Sequence, residues 1–294
     1  MATTSHVTRP DAAGDDYRTV AVGRGRDRRL AYCEYGRSDG SAVLFLHGTP
    51  GSRRLGSLLD AAARDHGVRL LAVDRPGYGR SDAWPDRSIR DAGRVVTSVL
   101  DDVGVETAGL VAFSGGAPHA LATAATDPER VTRVDLLSGA TPPERSDHTP
   151  AVQRLLGRLA ATTPTVLAGL FRGQAWLADR LDPSFVVGQY TAEPESVPDD
   201  AAATVRADFV EAVAGDGRGA VTEFRQAATD WGIRYGDLSV PVRLWHGAND
   251  TNVPVEGARR LAAAIPTARL TVSDDADHLG TLLRTGPDAL AAHR

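Results

Sequence analysis

Short buried-strand runs alternate with helix-spaced stretches along this chain, and that alternation constrains the fold more than any other feature. Ala42–Leu46 is apolar throughout, as a central parallel strand covered on both faces must be. Arg69–Val73, Ala108–Phe113 and Val131–Leu137 continue the series. Helical spacing fills the gaps, at about Leu55–Arg64, Ile89–Asp102 and Gly116–Thr126. Ahead of them, Thr19–Val22 and Arg29–Glu34 flank a Gly-Arg-rich link and read as a hairpin. Strands alternating with helices build βαβ units, so the expected class is α/β, with a mostly parallel central sheet flanked by helices on both faces.

The pattern breaks after Gly139. Between Thr141 and Gly236 no buried-strand run occurs; helical segments at Val152–Ala160, Val166–Leu181 and Ala201–Ala214 are interrupted by prolines. The sheet then resumes with Val242–Trp245 and Arg269–Val272, separated by a helix at about Val255–Ala264. The expected organisation is a leader without fixed structure at 1–17, a core at 18–140 and 237–294, and a helical lid at 141–236.

Charge and composition exclude several classes. The net charge of -5 gives no reason to expect nucleic acid or an anionic membrane as partner. No apolar stretch has the length of a membrane span, and the polar N-terminal segment lacks the apolar core of a signal peptide, so a cytoplasmic location is expected. Cys33 is the single cysteine, so no disulfide forms within the chain; its alternating surroundings mark a core thiol on a strand. Every basic side chain is Arg.

The chemistry lies where strands end. Val111-Ala112-Phe113-Ser114-Gly115-Gly116 places a serine between a buried strand and a helix, with small residues two positions either side. A nucleophile held on a sharp strand-to-helix turn needs such neighbours, because larger ones collide. Alone, the run also fits a helix start with a capping serine. The loop His47-Gly48-Thr49-Pro50-Gly51 follows an earlier strand and can aim a backbone N–H at a developing oxyanion; the N–H of Gly115 is the natural second donor. Asp250 follows strand Val242–Trp245, and His278 lies in a loop after the last strand. Asp275 and Asp277 compete with Asp250 as the carboxylate partner of His278. The order Ser…Asp…His, each after a separate strand, is the one found in strand-to-helix serine hydrolases.

With HGTPGS at 47–52, DRPGYGRSD at 74–82, FSGGAPHAL at 113–121, HGANDTNVP at 246–254 and DHLG at 277–280, the chain resembles the α/β-hydrolase superfamily. The resemblance implies Ser114 as nucleophile, His278 as base, Asp250 as acid and an oxyanion hole from Thr49 and Gly115, with no metal or organic cofactor. The position before the serine's neighbour is Ala112 where the family usually has Gly. Phe113 and Trp231 are the candidate substrate-binding residues; Asp74 and Arg75 are expected to fix their loop, His119 to pack or line the pocket, and His66 and His246 to be structural.

Hydrolysis of a small carboxylic ester through an acyl-enzyme is the expected activity. Ser114 argues against the dehalogenases and epoxide hydrolases of the superfamily, which use an Asp nucleophile. A peptidase, a carbon–carbon bond hydrolase, or a non-hydrolytic receptor or lyase on the same fold are the alternatives, and turnover of nitrophenyl esters separates the last from the others.

Overall fold

The computed structural model describes residues 9–10, 16–22, 25, 27–145 and 150–294. Its strands are β1 (Arg9–Pro10), β2 (Asp16–Val22), β3 (Arg28–Gly36), β4 (Ser41–Leu46), β5 (Val68–Val73), β6 (Ala108–Phe113), β7 (Val131–Leu137), β8 (Val242–Gly247) and β9 (Ala268–Ser273). They form one sheet in the order β1-β2-β3-β5-β4-β6-β7-β8-β9. From β5 to β9 in that order all neighbours are parallel; β1, β2 and β3 add an antiparallel flank.

The helices divide between the two faces. α1 (Asp60–Asp65) and α10 (His278–Ala291) share a core with Val43, Phe45, Leu70 and Val111. On the opposite face α2 (Ala92–Asp102), α3 (Ala117–Thr126) and α9 (Val255–Ala264) bury Val96, Leu121 and Leu261 against Leu44, Leu71 and Leu110. Because every side chain of β6 is buried, the strand carries no polar face and can only lie in the middle of such a sandwich. Cys33 is buried on β3 as expected, and burial pushes its thiol up to about 11.

Between β7 and β8 lie α4 (Ala151–Thr162), α5 (Pro164–Ala178), α6 (Ser184–Val187), α7 (Asp199–Ala212) and α8 (Arg218–Ala227). Of the prolines read as interruptions, Pro164, Pro183 and Pro198 stand at or just before helix starts. Three carboxylates on two of these helices seat the region on the core. From α7, Asp208 accepts from the Ser52 N–H at 2.6 Å and its hydroxyl at 2.8 Å, and Glu211 pairs with buried Arg53 at 2.9 Å. From α8, Glu223 enters a buried cluster described below.

Four expectations need correction. Asp16 and Tyr17, placed in the leader, belong to β2, and the Tyr17 ring covers the Arg53 guanidinium at 4.9 Å; most of the remaining leader lies outside the described residues. Leu55–Arg64 is not one helix but a 3₁₀ segment, Arg53–Leu59, running into α1. Its start is pinned because both the N–H and the guanidinium of Arg53 bond Asp74, at 2.6 and 2.9 Å. His278 is not in a loop: it is the first residue of α10, with Asp277 as the N-cap accepting from the Gly280 N–H at 2.9 Å. α8 has no counterpart among the helical segments expected from the sequence.

Candidate active site

Ser114 is one of two non-glycine residues with positive φ among the described residues, at 50°. The chain leaves β6, turns through a 3₁₀ step at Ser114–Gly116 and enters α3. That conformation costs a non-glycine residue of order 1–3 kcal/mol and holds the hydroxyl out at the strand end. A small residue is required two positions on, as the sequence suggested, because a Cβ on Gly116 would collide with the Leu46 carbonyl. A Cβ on Gly115 would collide with the Thr49 side chain and stand 3.1 Å from the Thr49 nitrogen. The two backbones expected to supply oxyanion donors therefore lie side by side at the serine.

His278 Nε2 is 2.9 Å from Ser114 Oγ, and Nδ1 is 2.8 Å from Asp250 Oδ2. The carboxylate's other oxygen accepts the N–H groups of Asn252 and Val253 at 2.9 and 2.8 Å. Burial alone would raise the Asp250 pKa; His278 and the Val253 N–H outweigh it and hold the carboxyl below its ordinary value. His246, expected to be structural, bonds the Val253 carbonyl at 2.8 Å and so braces the same loop. The competing carboxylates are engaged elsewhere. Asp275 is exposed and pairs with Arg284 at 2.8 Å, while Asp277 caps α10 and also accepts from the Ala192 N–H at 3.1 Å.

A cavity of about 230 Å³ opens at Ser114. Thr49, Gly115 and His119 form its floor; Gln153, Arg154 and Trp231 are among the residues of its wall. Trp231, an expected substrate contact, borders this cavity while packing into the core with Ile89 and Ile233. Phe113, the other, is not among the residues bordering it; it lines a much smaller recess of about 20 Å³ that also reaches Ser114, with its ring 4.9 Å from that of His278.

Sequence reading missed Glu223. This α8 carboxylate is almost fully buried against the cavity floor. It contacts Arg75 at 2.7 and 2.9 Å, Arg87 at 2.8 Å, Thr49 Oγ1 at 2.8 Å, Tyr78 Oη at 2.9 Å and His119 Nε2 at 3.1 Å. Burial would raise its pKa; Arg75 overrides this and holds it well below the ordinary value, so it is ionised. The His119 pKa is lowered as well, chiefly by burial, which favours its neutral form. Asp74 and Arg75 do fix their loop, through the Arg53 and Arg80 contacts of Asp74 and the bonds from Arg75 to the His47 and Gly48 carbonyls.

A family model described as alpha/beta hydrolase fold matches residues 41–285. A 2-hydroxy-6-oxononadienedioate/2-hydroxy-6-oxononatrienedioate hydrolase of Paraburkholderia phymatum is 30% identical over 289 residues, which is 94% of this chain and 93% of that one. Among solved structures, an esterase from Thermogutta terrifontis superposes with a TM-score of 0.70 at 19% identity, covering 94% of this chain and 96% of its own. The enol-lactonase of Burkholderia xenovorans gives a TM-score of 0.68 at 23% identity, over 93% and 96%. The chain belongs to the α/β-hydrolase family, and its relatives support a hydrolase. Among the described residues no helix is long and apolar enough to cross a membrane.

Proposed function

We propose that this protein hydrolyses a small carboxylic ester through an acyl-enzyme formed on Ser114. His278 Nε2 takes the Ser114 proton as Oγ attacks the carbonyl carbon. The N–H groups of Thr49 and Gly115 receive the oxyanion, where preorganised donors stabilise charge only as it develops. His278 then protonates the departing alkoxide. In the second half it deprotonates the water that releases the acid, while Asp250 keeps the proton on Nδ1 throughout. The observation that carries this reading is the unbroken relay Asp250–His278–Ser114, at 2.8 and 2.9 Å, ending on a hydroxyl that borders the cavity.

The named activity of the Paraburkholderia relative favours a second reading, hydrolysis of a carbon–carbon bond in a dicarboxylate. The cavity wall speaks for the ester. Two substrate carboxylates call for uncommitted cations, yet among the described residues Arg154 is the cavity's one arginine and sits at an exposed position. Arg75 and Arg87 are already committed to Glu223. The purified protein should release nitrophenol from p-nitrophenyl butyrate and be labelled by a fluorophosphonate at Ser114, and Ser114→Ala should abolish both while leaving the melting temperature unchanged. Turnover of 2-hydroxy-6-oxononadienedioate without turnover of the ester would establish the second reading; labelling at another serine would remove both.

A further inference from the structure

Glu223 lies on the lid, but everything it touches belongs to the core, and its partners converge on the loop that carries Thr49. We infer that Glu223 is a positioning residue for the oxyanion hole: seating α8 on the core aims the Thr49 N–H. The inference rests on the proposed acyl-enzyme reading, because it assigns a role within that reaction.

The link runs through Arg75. Its guanidinium donates to both Glu223 oxygens and, on its other edge, to the carbonyls of His47 and Gly48, the latter at 3.0 Å. The Gly48–Thr49 peptide is trans, since Thr49–Pro50 is the cis bond recorded in this loop. In a trans peptide the C=O and the following N–H point in opposite directions. Holding the Gly48 oxygen on Arg75 therefore turns the Thr49 N–H away from Arg75, towards Gly115 and the serine. A second tie fixes the same residue from its side chain: Thr49 Oγ1 donates to Glu223 at 2.8 Å and accepts from Arg75 at 3.1 Å.

Glu223 itself has no capacity left for substrate. Six polar contacts from five side chains fall on its two oxygens, so a carboxylate that borders the cavity acts on the loop behind it rather than on a ligand. Charge adds to the geometry. Arg75 and Arg87 together exceed the one carboxylate by a unit of positive charge, and this surplus sits behind the donor that faces the developing oxyanion.

The helix can reach this depth because Gly219, one turn before Glu223 on the same face, packs on Gly77. A Cβ at Gly219 would stand 2.6 Å from both the carbonyl carbon and the oxygen of Gly77. The methyl of Gly219→Ala would lift α8, and Glu223 with it, without altering any side chain of the cluster.

The test compares wild type with Glu223→Gln, Glu223→Asp and Gly219→Ala. Three quantities are measured: the pre-steady-state acylation rate with p-nitrophenyl butyrate, the affinity for an alkyl trifluoromethyl ketone, which adds to serine and places an oxyanion in the hole, and the affinity for the methyl ketone of the same chain, which does not. Displacing one donor predicts a roughly 10–100-fold loss in acylation for Glu223→Gln, below the loss from removing a donor outright. The trifluoromethyl ketone should weaken in parallel and the methyl ketone by less than about threefold, with partial recovery in Glu223→Asp. Gly219→Ala should reproduce the pattern, and it carries the test if Glu223→Gln does not fold. Equal weakening of both ketones would mean a collapsed pocket and overturn the inference, as would unchanged acylation in Gly219→Ala. A wild type that neither acylates nor binds the trifluoromethyl ketone would overturn the acyl-enzyme reading and this inference with it.

Discussion

Replacing Asp250 by Asn tests the relay at its most informative atom. Oδ1 accepts two backbone N–H groups, from Asn252 and Val253. The amide that takes the carboxylate's place must keep its oxygen there, since turning the NH₂ group towards two donors would leave both buried and unpaired. The NH₂ then faces His278 Nδ1, 2.8 Å away in the wild type, and donates to it. Nδ1 can accept only if it has no proton, so the proton moves to Nε2, the atom that must take the one on Ser114. The substitution keeps size and backbone contacts but selects the wrong tautomer. The expected loss in kcat is roughly 10⁴-fold, the scale known for this change in a serine triad, or about 5 kcal/mol of barrier. The assay is steady-state ester hydrolysis with active-site titration, paired with thermal unfolding to show that the fold survives. Asp275→Asn and Asp277→Asn serve as controls and should each lose less than about tenfold. A small loss in Asp250→Asn, or a large one in Asp277→Asn with Asp250→Asn unaffected, would refute the reasoning.

Three further outcomes follow from the geometry. Because lid residues such as Gln153 and Trp231 border a finite cavity, p-nitrophenyl butyrate should turn over faster than the palmitate, and the reverse order would refute a lid that limits acyl size. Asp277→Ala should destabilise the protein by about 1 kcal/mol in urea unfolding through loss of the α10 cap, whereas Asn at the same position should be nearly neutral. Asp208, buried on α7 where the lid meets the core, is pushed up from 3.8 to about 7, with burial outweighing the Ser52 donors. The folded state then holds a proton that the unfolded chain has released, so stability should fall as pH rises from about 4 to 7; thermal melts of Asp208→Asn should lack this portion of the slope.

The legible parts of the fold were those whose causes are local. A strand buried on both faces must be apolar, so β4 and β6 announced themselves, and strained turns demand small residues, so Ser114 stood out between Ala112 and Gly116. The choice of Asp250 over Asp277 could be argued from the chain because adjacent side chains diverge, and the capping bond of Asp277 supplies the physical detail. α10 was hidden because Pro287 lies inside it and a proline usually breaks a helix. α8 and Glu223 were hidden for a different reason. Arg218–Ala227 has a polar sequence with Gly219 in its first turn and Gly217 as its N-cap, and its helix gains its anchor from Arg75, Arg87 and Thr49, more than a hundred residues away.

The placement of the lid between neighbouring strands bears on how the enzyme comes together. β7 and β8 lie side by side in register, Leu136 opposite Leu244, although the whole lid separates them along the chain. Pairing them closes a long loop, and the entropy of that closure must be met before its contacts give anything back. Everything up to β7 can pair through shorter connections, so Ser114 and its turn can form while Asp250 and His278 are still unplaced. Hydrolytic activity then reports the last stage of assembly. In refolding from denaturant it should lag the recovery of helical signal and rise with the slowest phase.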